Sequence, residues 1–396
     1  MKNHKVLVSL GLGWMFDAMD VGIMSFIVAA LVKDWHLTSV QVGWVGSVNS
    51  IGMALGALIA GVCADRWGRK PVLLASILIY SLASGISAFA TGFSMFMILR
   101  FLIGAGLGGE LPVASTLLSE NEPQETRGRS VVLLESFWAV GWIVSAILAY
   151  FIIPSYGWRI VFLIGAVPAL YTVFLRTSLP ETKSQRFKPS IRKAMKQIWS
   201  RPFSRSTSML WILWFCVVFS YYGMFLWLPS VMVLKGFSLI KGFEYVLIMT
   251  LAQLPGYFSA AWLVEKKGRK LTLIFYLIGT AVSAWGFGSA QGVTGLIVMG
   301  AFLSFFNLGA WGAMYAYTPE LYPHSIRATG AGAAASFGRI GGILGPLFVG
   351  YMVTGHYNFD MIFGVFCIVI IIGAAAVLTL GTETKGESLP TDPIPQ

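Results

Sequence analysis

Twelve apolar stretches of about 20 residues each, separated by charged or turn-forming breaks, run through this 396-residue chain and leave it one solvent. They span approximately 6–32, 39–64, 72–91, 93–118, 129–153, 158–178, 207–232, 243–264, 271–290, 293–318, 328–354 and 359–381. Each is long enough, at 1.5 Å per residue, to cross a hydrocarbon layer about 30 Å thick. Charged residues make up only 11% of the chain, against about 25% in a soluble domain, so they cannot cover a water-facing surface of this size. The 44 glycines and 16 prolines follow no collagen-like period and sit inside apolar runs, where membrane helices tolerate them.

An even number of spans places both termini on one side. Of the 28 Lys and Arg, 22 lie on that side, 4 on the other (Lys33, Arg159, Lys235, Lys241), and Arg100 and Arg339 lie inside spans. The positive-inside rule makes the basic side cytoplasmic and explains the net charge of +11 without nucleic acid. The basic N-terminus leads into an apolar run too long for a signal peptide, so it reads as the first span. Cys63, Cys216 and Cys367 are too scattered for a disulfide framework or metal site, and no metal or cofactor is expected. The expected organisation is a six-helix bundle over 1–178, a basic cytoplasmic linker over 179–206 in which an interfacial helix could lie, a second bundle over 207–381, and a cytoplasmic tail over 382–396.

The two halves match in register. At an offset of 200, Asp65, Arg66, Gly68, Arg69 and Lys70 align with Glu265, Lys266, Gly268, Arg269 and Lys270, while Glu120, Pro123 and Arg127 align with Glu320, Pro323 and Arg327. A nearby offset pairs Glu181-Thr-Lys183 with Glu383-Thr-Lys385. Convergent basic loops would share charge but not register. Parallel six-span repeats are the plan of a rocking secondary transporter with its site at the midplane.

The segment AGVCADRWGRK (60–70) resembles the loop between spans two and three of the major facilitator superfamily. SENEPQETRG (119–128), TPELYPHSIRATG (318–330), LPETK (179–183) and GTETKG (381–386) resemble its sugar-porter and synaptic-vesicle-protein-2-like branches. FDAMDVGIMSFI (16–27) with GGELPVAS (108–115) is similar to the bacterial niacin (nicotinate) permeases. The resemblance implies an all-α membrane protein of twelve transmembrane helices in two pseudo-symmetric bundles. It also implies a cytoplasmic latch of Asp65, Arg66, Gly68, Arg69, Glu120 and Arg127 in the first half and Glu265, Arg269, Glu320 and Arg327 in the second. Physically, Asp65 can accept from a helix N-terminus and pair with Arg69, and the glycines allow tight turns.

Ionisable groups within spans cost from about 2.5 kcal/mol upward and are functional candidates by default. Asp17 and Asp20 lie near mid-membrane and, spaced i, i+3, share a face. Two carboxylates that close cannot both ionise easily, so one is expected to hold a proton. Glu110 and Glu135 are secondary proton candidates. Arg339, at similar depth in span eleven, could grip a substrate carboxylate with two hydrogen bonds or could pair with Asp17, Asp20 or Glu135. Arg100 is too far along span four from Glu110 to pair with it and reads as structural. The intervening glycines suggest close helix contact rather than a phosphate cradle. Trp138, Tyr221, Tyr222, Trp311 and Tyr315 offer faces for a planar ligand, with Asn307 and Gln253 near enough to hydrogen-bond it. In the vesicle-protein-2-like relatives, positions matching Trp138, Tyr221, Tyr222 and Trp311 line the central cavity, and the position matching Arg339 is basic.

These residues fit a transporter, not an enzyme, that imports a small aromatic monocarboxylate, nicotinate foremost, with protons as a candidate co-substrate. It would act as a monomer in the cell membrane. A sugar/proton symporter, a multidrug efflux transporter and a ligand-binding membrane receptor are the alternatives. If Asp65 holds the latch, Asp65→Asn shifts the resting population inward, and labelling of an external cysteine by an impermeant reagent falls; unchanged labelling removes the latch role.

Overall fold

A computed structural model of the chain describes the backbone of residues 2–67, 69–121, 127–178, 191–323 and 326–385. Side chains are described over the same ranges except 2–6, 58, 61–62, 64–66, 69, 111–121, 127–132, 173, 175–178, 191–192, 194 and 328. The first half contains α1 (Lys2–Trp35), α2 (Ser39–Trp67), α3 (Arg69–Ser87), α4 (Phe93–Asn121), α5 (Arg127–Tyr156), α6 (Trp158–Ile164) and α7 (Pro168–Ser178). After α8 (Ile191–Ile198), the second half contains α9 (Arg201–Leu234), α10 (Leu239–Leu251), α11 (Gln253–Lys267), α12 (Arg269–Ser289), α13 (Val293–Glu320), α14 (Arg327–Thr354) and α15 (Phe359–Leu380).

Most expected spans return as single helices with ends shifted by a few residues. Two are broken. The sixth divides into α6 and α7 around Gly165 because Pro168 disfavours helix in the residue before it. The eighth divides at Ala252 because Pro255 has no N–H for the Leu251 carbonyl. Within the expected linker α8 carries Arg192, Lys193 and Lys196, and α9 begins at Arg201, six residues before the expected span. Large apolar side chains such as Leu170 (75% exposed), Phe89 (68%) and Ile59 (64%) point outward. Ten helices among the described residues are long and apolar enough to cross a membrane.

The chain divides into two compact units. One comprises residues 1–184, 221–251 and 342–358; the other comprises 185–220, 252–341 and 359–396. In the first unit, α2 and α4 meet backbone to backbone through Gly52, Gly56, Gly104 and Gly108, two small-xxx-small pairs. A Cβ at Gly56 would strike the Ala105 carbonyl, and one at Gly104 the Asn49 carbonyl. Gly106 likewise lets α4 approach α3, where an added Cβ would lie 2.7 Å from the Tyr80 amide nitrogen. The close contact expected of the span-four glycines is therefore present. In the second unit Gly256 faces the Phe305 carbonyl as Gly56 faces that of Ala105, so the 200-residue repeat extends from the loops into the packing.

The first unit also holds a seam at the end expected to be external. Pro346 leaves the Gly342 carbonyl without its helical donor, and the Ser50 hydroxyl donates to it at 3.0 Å. Ser47 donates to the Ile343 carbonyl at 2.6 Å, and the Trp227 indole to the Pro346 carbonyl at 3.2 Å. Phe26 of α1 packs edge-on against Phe243 of α10 with centroids 5.3 Å apart.

Because a carbonyl in a helix wall cannot yield as a side-chain tip can, Gly56→Ala and Gly256→Ala are each expected to destabilise by about 1–3 kcal/mol. Gly364→Ala, where nothing lies within 4 Å of the added carbon, is expected to be neutral or to stabilise by up to about 1 kcal/mol. Thermal unfolding in detergent checks both.

Candidate functional site

The first unit gathers the charges of the N-terminal spans. Asp20 on α1 accepts from Arg100 Nη2 on α4 at 3.0 Å and from the Ser84 hydroxyl on α3 at 3.1 Å. Arg100 is fully buried and Asp20 is 3% exposed, and the guanidinium also lies over the rings of Phe96 and Phe162. The pairing gives Asp20 a counter-charge and distinguishes it from Asp17, with which it shares a face. Asp17 instead lies within hydrogen-bonding reach of Glu110 on α4, and the Tyr80 hydroxyl of α3 faces it. Glu135 is buried on α5.

Aromatic rings form a second layer in the same unit. The Trp138 indole on α5 donates to the Tyr221 hydroxyl at 2.7 Å, and Trp14 of α1 packs on Trp138 with centroids 5.3 Å apart. Tyr221 stacks on Phe225 and meets Tyr222 edge-on, and the Tyr222 hydroxyl points at the Met53 sulfur. Trp142 closes the group against Tyr221 and Phe225. Three expected ligand aromatics, Trp138, Tyr221 and Tyr222, are thus brought together.

The second unit holds the others. Trp311 and Tyr315 on α13 have ring centroids 5.9 Å apart, and Trp214 on α9 packs against both while its indole donates to Thr318 at 3.0 Å. Asn307, one turn before Trp311, is buried with Oδ1 unbonded among the described residues. Gln253 at the start of α11 is fully buried with neither amide atom bonded among the described residues. A buried amide without partners costs about 1–3 kcal/mol, the mark of a group kept for a ligand or water. Arg339 is half-buried on α14, beside a stretch where Phe337 stacks on Trp211.

At the end of the second unit expected to be cytoplasmic, Arg269 donates to Glu320 Oε1 through Nε at 3.2 Å and Nη2 at 2.9 Å. Glu383, beyond the last span, accepts from the Arg269 and Lys270 amides at 2.8 and 3.1 Å and so caps the N-terminus of α12. Thr384 donates to the other Glu320 oxygen at 2.6 Å. Gly268 has φ +96°, as its expected turn requires, and a Cβ there would collide with the Glu383 carboxylate. Arg327 Nε donates to the Tyr322 carbonyl at 3.2 Å. Glu265 is exposed, and among the described residues no hydrogen bond or ion pair reaches it; the acid holding the α12 N-terminus is Glu383, which the sequence offered only as a repeat match. The side chains of Asp65, Arg66, Arg69, Glu120 and Arg127, and Gly68, lie outside the described residues.

Sequence reasoning missed Tyr80, Ser84, Trp14, Trp142 and Trp214. All sit in apolar runs where an aromatic or a serine reads as packing.

Long apolar helices, a repeat that keeps register in loops and packing, and a buried mid-span ion pair of Asp20 with Arg100 are the features of a multi-pass membrane protein. Residues 10–260 and 242–396 match the Major Facilitator Superfamily, and the chain belongs to that family. It is 59% identical over 391 residues, covering 98% of each chain, to a candidate niacin/nicotinamide transporter, NiaP, of Bacillus subtilis (strain 168). It is 48% identical to the niacin transporter NiaP of Acinetobacter baylyi (strain ATCC 33305 / BD413 / ADP1), covering 98% of this chain and 95% of that one. The synaptic vesicle 2-related protein of Xenopus laevis is 29% identical over 97% of this chain and 79% of its own. The solved structure of a D-xylose-proton symporter superimposes with a TM-score of 0.80, covering 98% of this chain and 100% of that one at 20% identity, a likeness of fold alone. The resemblance to the bacterial niacin permeases and their vesicle-protein relatives is borne out.

Asp20→Asn leaves Arg100 buried without its counter-charge and is expected to destabilise the protein by about 3–5 kcal/mol. A fall in melting temperature much larger than that of Glu135→Gln confirms it; equal falls would show that the pair carries no special weight.

Proposed function

We propose that the chain is a secondary transporter importing a small aromatic monocarboxylate, nicotinate, by alternating rocking of its two six-span halves, with a proton accompanying the anion. The observation that carries this reading is 48% identity to a niacin transporter over 98% of the chain. The site chemistry supports it. A pyridine carboxylate presents a flat ring, a ring nitrogen that accepts a hydrogen bond and an anion. Trp138, Tyr221 and Tyr222 gather ring faces within one unit, and Trp311 and Tyr315 pair theirs within the other. Gln253 and Asn307 supply amides that can donate to the ring nitrogen.

Arg339 takes the carboxylate. Its planar guanidinium matches a carboxylate at two points and keeps its charge at any working pH. A proton carried with the anion makes each inward step electroneutral, and Asp17, Asp20, Glu110 and Glu135 are the intramembrane acids from which the carrier must come. The Ser47, Ser50 and Trp227 bonds are few enough to break and remake in each cycle and fit an external gate. The latch of Arg269, Glu320 and Glu383, with its counterpart around Asp65, is assigned to the cytoplasmic side, in a chain expected to work as a monomer in the cell membrane.

Radiolabelled nicotinate uptake into proteoliposomes, with and without an imposed pH gradient, tests substrate and energy source together. Charge-assisted hydrogen bonds contribute about 1.5–3 kcal/mol, so Arg339→Ala is expected to raise KM for nicotinate roughly 30-fold or more. An unchanged KM removes the anion-receptor role.

A further inference from the structure

Two buried acids in the first unit have no cation among the described residues. Asp17 is 2% exposed and Glu110 1%, and among the described residues no Lys or Arg pairs with either. Arg100 on α4 is held by Asp20. The carboxyl groups lie within hydrogen-bonding reach of each other. The backbone makes the approach possible: Gly13 stands one turn before Asp17 on the same face of α1, and a Cβ there would lie 2.7 Å from Glu110 Oε1. Glu110 therefore reaches across to α1 over a position kept bare.

A carboxylate only accepts hydrogen bonds, so two carboxyl groups can bond to each other only if one of them carries a proton. With both ionised, two negative charges would face each other in a buried setting with no counter-ion among the described residues, which neither Coulomb repulsion nor desolvation permits cheaply. Tyr80 points to the same place. It is fully buried on α3, its hydroxyl faces Asp17, and it completes no hydrogen bond among the described residues. Asp17 Oδ1 and Glu110 Oε2 are unbonded there too. Three polar groups from three helices thus converge with bonding capacity left over.

The surrounding groups supply no other explanation. On α1, Asp20 is bonded to Arg100 and Ser84. On α7 the Tyr171 hydroxyl donates to the Ser9 carbonyl at 2.9 Å. On α5, Glu135 makes contacts of its own.

We infer that Asp17 and Glu110 form a proton-sharing carboxyl pair, with Tyr80 as its third polar member, and that this pair is the site of the coupled proton. The second half of this statement rests on the transport reading above. Asp20, neutralised by Arg100, is then the scaffold charge beside the carrier, which separates it from Asp17 and Glu110 by role. Protonated, the pair is net singly negative. When it releases the proton the two anions repel across the α1–α4 contact, which gives the bundle a mechanical response to the proton.

Infrared difference spectroscopy of the purified full-length protein, titrated in the absence of any substrate, reads the pair directly. The wild type is expected to show the C=O stretch of a protonated carboxylic acid at neutral pH, and the Asp17→Asn/Glu110→Gln double variant to lack it, while Glu135→Gln keeps it. A wild type without the band, a double variant that retains it, or its loss in Glu135→Gln overturns the pair. In proteoliposomes, Glu110→Gln is expected to accumulate nicotinate no further under a pH gradient than wild type does without one. Wild-type gradient-driven accumulation in both Asp17→Asn and Glu110→Gln overturns the coupling assignment. Absence of nicotinate counterflow by wild type would fail the transport reading instead and leave the infrared result standing.

Discussion

Charge inside hydrocarbon has to be matched inside the protein, and the pair of Asp20 with Arg100 shows how this chain does it. One acid from α1, one guanidinium from α4 and a serine from α3 tie three helices at one level. The glycine contacts of α4 with α2 and α3 set how near its neighbours can come, and the charges set which faces must meet. Apolar packing alone would leave the rotation of each helix free, because lipid tails are as good a neighbour for leucine as another leucine is. The polar contacts remove that freedom, and the buried acids and aromatics of the site are placed as a result.

The spans were legible because their length and hydropathy are dictated by the bilayer, and the repeat because its loops keep register over 200 residues. The breaks in the sixth and eighth spans were not read, although Pro168 and Pro255 stood in view, since membrane helices also carry Pro154, Pro229 and Pro346 without breaking. Among the candidate residues, Asp17, Asp20, Glu110 and Arg339 stood out because ionisable residues are rare in apolar runs. Their partners did not. Nothing in the sequence separates Tyr80 from the other buried tyrosines, or Ser84 from the serines that bond their own helix. Asp17 and Asp20, three residues apart on one face, belong to different arrangements because they stand about 4.5 Å apart along the axis of α1 and so meet α3 and α4 at different levels, Tyr80 and Glu110 at one and Ser84 and Arg100 at the other. That Glu383 rather than Glu265 serves α12 depends on where the chain folds back after its last helix, a tertiary fact with no local signal.

The aromatic groups follow a similar rule. In a chain that is 14% aromatic, no single ring is informative, and most line packing or face lipid. What marks Trp138, Tyr221 and Tyr222, or Trp214, Trp311 and Tyr315, is that they gather several rings with polar tips on adjoining helices.

The contact of Glu383 with the start of α12 carries a practical lesson. Residues past the final hydrophobic segment usually count as dispensable, the natural place to trim a chain or attach a purification handle. Here the stretch from Gly381 to Lys385 is held at Gly381, Thr382, Glu383, Thr384 and Lys385 by Lys270, Tyr317, Arg269, Glu320 and the Lys266 carbonyl. A fusion joined at Leu380 would uncap a neighbouring helix, whereas one joined after Lys385 would leave that clasp closed.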